Sequence, residues 1–326
     1  MTSQGEGTGS AAPDGEGRTH RVDPADEGRH APDTEALWNE SYYLDVVSDD
    51  GSVAAYVRIG MYPNLGVTWW TTMVVGPERP MVASVAYDLP LPVGDATVVR
   101  GAGHDLAWTA DVPLEVMTVR ATATAVIEAD PAAAYRRSDT GTPTELELDL
   151  TWRTDGSPYH YDVTTRYEVP CLVEGSIRID DERLAVRGQG QRDHSWGVRD
   201  WWAFGWCWSA VRLDDGTRLH LTDVRIPGMP VALGYVQVPG EPVRPIAALA
   251  VSEVLGREGM PTAATVHIEP GGYQLAVEPV AFGPVLLTAD DGRVSRFPRA
   301  MVDVTTGDGR RGRGWMEWNQ PVAPVG

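Results

Sequence analysis

The sequence predicts an all-β protein built as two tandem β units with few helices, and three observations carry that reading. Helical periodicity is scarce along the 326 residues, while short segments rich in β-branched and aromatic residues recur between Gly, Pro and Asp. Asp-Gly steps at Asp50-Gly51, Asp155-Gly156, Asp215-Gly216, Asp291-Gly292 and Asp308-Gly309 separate such segments, and each glycine can take the positive φ of a tight hairpin. The run "YYLDVVSDDGSVAAYVRI" from Tyr42 is echoed by "WCWSAVRLDDGTRLHLTDVRI" from Trp206, with an aromatic strand, a D-D-G turn and a V-R-I ending in each. Two similar β units offset by about 165 residues account for the echo.

In chain order, residues 1–36 are acidic and poor in apolar residues, and read as a disordered tail. A short helical turn is expected near Asp33 to Asn39, capped by Asp33 or Thr34. The first β unit is assigned to 37–180 and the second to 181–326. In the first, "YPNLGVTWWTT" sets Trp69 and Trp70 after a Pro-Asn turn, so that strand alternation sends one to the core and the other to a groove.

With 42% hydrophobic residues the chain can bury a substantial core, and its formal charge of -19 repels nucleic-acid backbones and anionic membrane surfaces. No apolar run approaches the ~18 residues that span a bilayer. The N-terminus has neither the basic region nor the apolar stretch of a signal peptide. Cys171 and Cys207 are too few for a disulfide framework. A cytoplasmic protein without stable membrane insertion is therefore expected, its oligomeric state open. Gly188 and Gly190 lack the third glycine and the following helix of a dinucleotide fingerprint, so no nucleotide or flavin cofactor is expected.

The run "RDHSWGVRDWW", residues 192–202, concentrates His and Trp in a chain that has only 7 and 12 of them. His194 could act as a base, an orienting donor or a metal ligand, or be tied to neighbouring backbone. Ser195 cannot complete a triad with its sequence neighbours, because consecutive residues of an extended chain point to opposite faces. A zinc site from His194, His220 and a carboxylate has no close ligand pair behind it, and no metal is expected. Arg192, Asp193, Arg199 and Asp200 are read as an ion-pair network holding the segment between the barrels.

If Asp215 and Gly216 form a two-residue turn in the hairpin that follows, Arg212 faces Leu219, Ala210 faces Leu221, Trp208 faces Asp223 and Trp206 faces Arg225. Trp206, Trp208, Leu221 and Asp223 then share one face. A carboxylate among indole rings is desolvated and retains its proton towards neutral pH. The alternative is an Asp223 ion-paired to Arg225 or Arg212. The clustered tryptophans similarly fit either core packing or the wall of a cavity for a flat apolar ligand.

At "GQGQRDHSWGVRDWW" the chain resembles the two-domain lipocalin-like superfamily that includes carotenoid 1,2-hydratases, AttH-type proteins and fungal decalin-forming Diels–Alderases, in particular an actinobacterial-type branch. The resemblance implies two calycin-type barrels with a ligand cavity at or near their junction. In the hydratases a His-x-Trp pair precedes a Tyr-x-Asp pair whose Asp protonates an isoprenoid double bond. His194 and Trp196 match the first pair and Asp223 falls at the acid, while Leu221 stands where the tyrosine would be. The resulting expectation is an enzyme that cyclises, isomerises or hydrates a hydrophobic unsaturated metabolite, such as a terpenoid or polyketide polyene. Asp223 and His194 would be catalytic, and Trp196, Trp206, Trp208, Leu221, Trp69 and Trp70 would line the cavity. A noncatalytic carrier of an apolar small molecule is the alternative.

Overall fold

The structure, a computed structural model, describes residues 21–94, 96–136 and 140–322. Its first sheet comprises β1 (Trp38–Ser48), β2 (Ala54–Tyr62), β3 (Val67–Gly76), β4 (Arg79–Pro90), β5 (Val98–Gly101), β6 (His104–Val112), β7 (Val116–Glu128), β8 (Thr142–Thr154), β9 (Tyr159–His160), β10 (Arg166–Ile179) and β11 (Glu182–Val198). The second comprises β12 (Gly205–Leu213), β13 (Arg218–Ile226), β14 (Met229–Gln237), β15 (Arg244–Pro245), β16 (Ala248–Leu255), β17 (Pro261–Glu269), β18 (Tyr273–Phe282), β21 (Arg299–Thr306) and β22 (Arg311–Val322). A side ribbon of β19 (Val285–Thr288) and β20 (Val294–Phe297) joins the second sheet at β22.

The first sheet runs β4-β3-β2-β1-β11-β10-β8-β7-β6-β5, and the pairing of β4 with β7 closes its first eight strands into a barrel from which β6 and β5 extend. The second curls in the order β14-β13-β12-β22-β21-β18-β17-β16. In both, the first strand pairs with the last and with the second, so the two echoed sequences occupy equivalent hairpins. The tandem-barrel expectation is met. All five Asp-Gly glycines have positive φ, and four of the steps sit at hairpin tips. Asp155-Gly156 instead links β8 and β9, which both pair with β10.

Three sequence expectations differ from the structure. A division at 180/181 would cut the hairpin of β10 and β11, which pair from Ile179↔Glu182 to Arg166↔Ser195; the chain changes sheet only after Val198. Within the expected tail, residues 1–20 lie outside the described residues, but 21–36 are built against the first barrel. Val22 and Glu27 are buried there, and a 3-10 turn at Pro24–Glu27 is capped by the Asp23 side chain. The expected helical turn near Asp33 is an Asx turn in which the Asp33 carboxylate accepts from Glu35 N–H at 2.8 Å, because β1 begins too soon for a helix. Among the described residues no helix is long and apolar enough to cross a membrane.

Each barrel is filled by its own side chains, Trp70, Trp108 and Trp152 in the first and Leu221, Val236 and Trp318 in the second. A third apolar cluster, with Tyr43, Tyr56, Met73, Trp208 and Trp315, joins the outer face of one barrel to that of the other. Trp315 Nε1 donates to the Val46 carbonyl at 3.1 Å and Tyr56 OH to the Gly283 carbonyl at 2.9 Å across that junction.

The G-x-G of β11 is explained by close approach. A Cβ on Gly190 would fall inside contact distance of the Asp45 carbonyl, which accepts from Trp152 Nε1 at 2.7 Å across the barrel. Gly190→Ala should therefore destabilise the protein by ~2–4 kcal/mol, read from the urea midpoint. A change within experimental error would remove this account of the motif.

Candidate functional site

Strand alternation divides the "RDHSW" run between two environments. Arg192, His194 and Trp196 pair across from Leu44, Tyr42 and Glu40 and turn into the first barrel; Gln191, Asp193 and Ser195 turn out towards the second. The four charged residues of the run do not pair with one another. Arg192 donates to Glu27 at 2.7 Å, Asp193 accepts from Arg166 at 2.7 Å, Asp200 pairs with Arg293 at 3.0 Å, and Arg199 reaches the Val198 and Trp196 carbonyls. Arg192, Asp193 and Asp200 are held by partners from elsewhere, and Arg199 also donates to Thr164 Oγ1 at 3.0 Å, so the expected mutual network is replaced by four separate attachments.

The inward residues form a closed polar cluster at the end of the first barrel. His194 Nε2 lies 2.6 Å from Glu40 Oε1, and its Nδ1 lies 3.2 Å from Tyr167 OH. Tyr167 OH donates to Glu27 Oε1 at 2.8 Å. His30, from the segment that leads into the barrel, places Nδ1 3.0 Å from Glu40 Oε1 and stacks on Trp196 at 3.6 Å. His194 and Trp196 thus reach a plugged barrel end, not the junction between barrels.

The hairpin of β12 and β13 carries the largest correction. Its loop has three residues, since Leu213 N–H donates to the Thr217 carbonyl and Gly216 takes positive φ, so the register is shifted by one. Asp223 lies opposite Cys207, Leu221 opposite Ser209, and Trp208 opposite Thr222. A one-residue slip exchanges the faces completely. Leu221 therefore lies in the core of the second barrel, while Asp223 turns to the same side and pairs with Arg225 at 2.9 Å. Asp223 is not among indole rings. Trp206 and Trp208 instead face the junction, together with His220 and Thr222.

There the outward residues of β10 and β11 meet them. Arg166 bridges two carboxylates, Glu168 at 2.8 Å and Asp193 at 2.7 Å. Glu168 is fully buried and accepts from Gln191 Nε2 at 3.0 Å and Trp208 Nε1 at 3.2 Å. Burial pushes the Glu168 carboxyl up, but Arg166 and the surrounding donors outweigh it and hold it below its ordinary value. For Asp193 burial wins over Arg166, helped by the Glu168 charge, and its carboxyl is pushed up to about 7. One arginine thus serves two acids of opposite character: Glu168 carries the charge and Asp193 carries a proton near neutrality.

His220 completes this cluster as a neutral ring, lowered to about 4 by burial. Its Nδ1 lies 3.0 Å from the Ser209 carbonyl and must donate, which leaves Nε2 to accept from Tyr161 OH at 2.6 Å. Trp208 stands edge-on to Tyr43 at 5.2 Å.

A cleft of about 540 Å³, walled by Met73, Met81, Ala83, Val85, Val285 and Leu286, opens further along the first sheet, with Val85 four strands across from Asp193. Tyr87 lines it, and from there a row of aromatic contacts runs inward. Trp69 meets Tyr87 at 5.2 Å and Tyr62 at 4.2 Å; Tyr62 OH accepts from Trp201 Nε1 at 3.0 Å, and the Arg58 guanidinium sits 4.8 Å over Trp201. Trp70 is buried in the first barrel, so of the Trp69-Trp70 pair only Trp69 joins the aromatic group behind Tyr87. Trp206 packs in the same group and donates to Glu317 at 3.1 Å.

Sequence reasoning did not find Glu40, Glu168, Tyr161, Arg166 or His30. Glu40 had a signal: it shares the inward parity of Tyr42, Leu44 and Val46, and a carboxylate on the apolar face of a strand demands a partner. His30 had none, because its partners come from distant strands.

Two outcomes follow. Glu27→Ala leaves Arg192 buried without its carboxylate and should cost ~3–5 kcal/mol in denaturant unfolding, whereas an undocked N-terminal segment would leave stability unchanged. Asp45, pushed up to about 8 by burial, accepts from Gln191 N–H at 2.8 Å. Its folded pKa lies above the unfolded value, so its stabilising contribution is complete below about pH 4 and is lost as pH rises through about 8. Asp45→Asn should flatten that decline in a series of melting curves; an identical slope would contradict the assignment.

Similarity to solved structures extends over nearly the whole chain. The AttH protein of Nitrosomonas europaea superposes with a TM-score of 0.64 at 16% identity, covering 94% of this chain and 98% of its own. Kievitone hydratase of Nectria haematococca gives 0.59 at 10% identity, with coverages of 87% and 90%. CghA, also solved with Sch210972, gives 0.54 at 12% identity, with coverages of 95% and 98%. At these identities the likeness establishes a shared tandem-barrel, lipocalin-like fold. No curated protein sequence matches the chain. Residues 23–322 match one family over both barrels, and the chain belongs to that family, described as domain of unknown function DUF7064.

Proposed function

We propose that the protein is an enzyme that binds an apolar, unsaturated small molecule at the junction of the barrels, entering by the cleft, and transforms it by proton transfer, with Asp193 as the acid. The observation that carries this reading is a carboxyl buried at the junction and pushed up to about 7, towards which Arg58 and the aromatic row Tyr87, Trp69, Tyr62 and Trp201 lead from the apolar cleft. An acid with a pKa near the working pH donates and recovers a proton with little penalty. In the proposed step the Asp193 proton passes to an alkene carbon or a carbonyl oxygen of the ligand. The resulting cation is captured by water, captured by a second alkene of the same molecule, or loses a different proton. These outcomes are hydration, cyclisation and isomerisation; the added water, the cyclised cation or the original cation then loses a proton, which returns to Asp193. Trp69 and Trp206 offer π faces to the cation, and Glu168 remains charged beside the donor. The shared fold with kievitone hydratase supports this class of chemistry.

A carrier is the second reading. It is favoured by the cleft walls themselves, which are mainly Met, Val, Ala, Pro and Leu and include few polar groups besides Tyr87 and Glu128. Mass spectrometry of small molecules extracted from the purified protein, followed by incubation with each recovered compound, separates the two. An enzyme returns a product of changed mass or retention. Asp193→Asn should keep ligand-induced quenching of tryptophan fluorescence while lowering turnover by a factor of about 10²–10⁴. Val85→Trp, a partly exposed position in the cleft wall, should instead abolish quenching with the fold intact. Recovery of unchanged ligand from both wild type and Asp193→Asn would establish the carrier.

A further inference from the structure

We propose that His30, Glu40 and His194 form a binding site for one divalent transition-metal ion, zinc being the ion their ligand types suit best. The site lies at the plugged end of the first barrel, on the opposite face of β11 from Asp193, and is independent of the cleft. One nitrogen from each imidazole and one carboxylate oxygen lie within 4.8 Å of one another. Glu40 and His194 are buried and His30 is partly exposed.

Hydrogen-bond directions carry the argument. Tyr167 OH has one proton, and Glu27 Oε1 at 2.8 Å is a carboxylate oxygen that can only accept it. The Tyr167 oxygen is then an acceptor towards His194 Nδ1 at 3.2 Å. A neutral His194 that donates from Nδ1 presents the lone pair of Nε2 to Glu40 Oε1, 2.6 Å away. His30 points Nδ1 at the same Glu40 oxygen at 3.0 Å, and its Nε2 faces the Asp26 carboxylate at 3.6 Å, an ion-pair rather than a hydrogen-bond distance. Two lone pairs and a carboxylate therefore converge on one point, which a cation relieves. An outer oxygen facing the second nitrogen of each histidine is the usual support of a histidine metal ligand.

The rings are also fixed in advance. His30 stacks on Trp196 at 3.6 Å with an interplanar angle of 7°, and His194 stacks on Tyr42 at 4.1 Å and 20°. The remaining Glu40 oxygen accepts from the His30 backbone N–H at 2.6 Å, which aims the first oxygen at the histidines. Two imidazole nitrogens and one carboxylate oxygen match zinc at about 2.0–2.2 Å per bond, with modest outward movement of the ligands. Such an ion would clip the N-terminal segment to β1 and β11 and close the barrel end.

The competing arrangement is a shared-proton cluster in which the same atoms hydrogen-bond without metal. Tag-free full-length protein, stripped with chelator and dialysed, should bind one equivalent of Zn²⁺ and gain thermal stability from Zn²⁺ but not from Mg²⁺. Co²⁺ in its place should give the visible bands of a low-coordinate nitrogen and oxygen site. His30→Gln, at the edge of the cluster, should weaken Zn²⁺ binding at least 100-fold while retaining the β-sheet circular dichroism spectrum; Glu40→Gln should do the same. Absence of Zn²⁺ binding at micromolar concentration, or binding unaltered in both variants, would overturn the proposal in favour of the proton-sharing cluster.

Discussion

Every side chain of β11 must take one of two faces, and the organisation of the protein depends on that alternation. The strand is central in a closed barrel and also borders the second barrel, so neither face is available to solvent over most of residues 189–195. Inward positions supply Arg192 and His194 to a polar plug; outward positions supply Gln191 and Asp193 to the junction. The backbone is fixed from both sides by β1 and β10. The junction and the closed barrel end are thus both built on a single strand rather than on a loop.

Such a strand is expensive to bury, because charged groups on both faces need partners. The inward face is satisfied by a segment from outside the barrel, which brings Glu27 to Arg192 and His30 to Glu40. The outward face is satisfied unevenly. Arg166 cannot fully compensate Glu168 and Asp193 together, so the carboxylate with more hydrogen-bond donors, Glu168 with Gln191 and Trp208, is held below its ordinary pKa while Asp193 is pushed above its own. This asymmetry is a consequence of the limited number of donors available.

Much of the fold was legible. The Asp-Gly steps fix turns through local backbone preferences, and the D-D-G echo marks equivalent hairpins because the same local geometry is needed where the first two strands of each barrel reverse. The candidate site was legible only in part. Trp69, Trp206 and Trp208 do face the junction, but Asp223 does not, since the turn at 214–216 contains one residue more than the two-residue reading allowed. That single residue sends Leu221 and Asp223 into the second barrel with Cys207 and brings His220 and Thr222 out beside Trp208.

By itself the sequence determined the secondary structure, the pairing of neighbouring strands and the presence of an unusual polar run, because each rests on local backbone chemistry and side-chain period. Tertiary structure alone decided which residues of that run act together. Glu40 and His194 are 154 residues apart, and Trp208 and Glu168 belong to different barrels. Their proximity follows from barrel closure and from the docking of one barrel on the other, and no short-range pattern encodes it. The proton on Asp193 has the same origin: it depends on burial and on a shared arginine, both set by the packed whole.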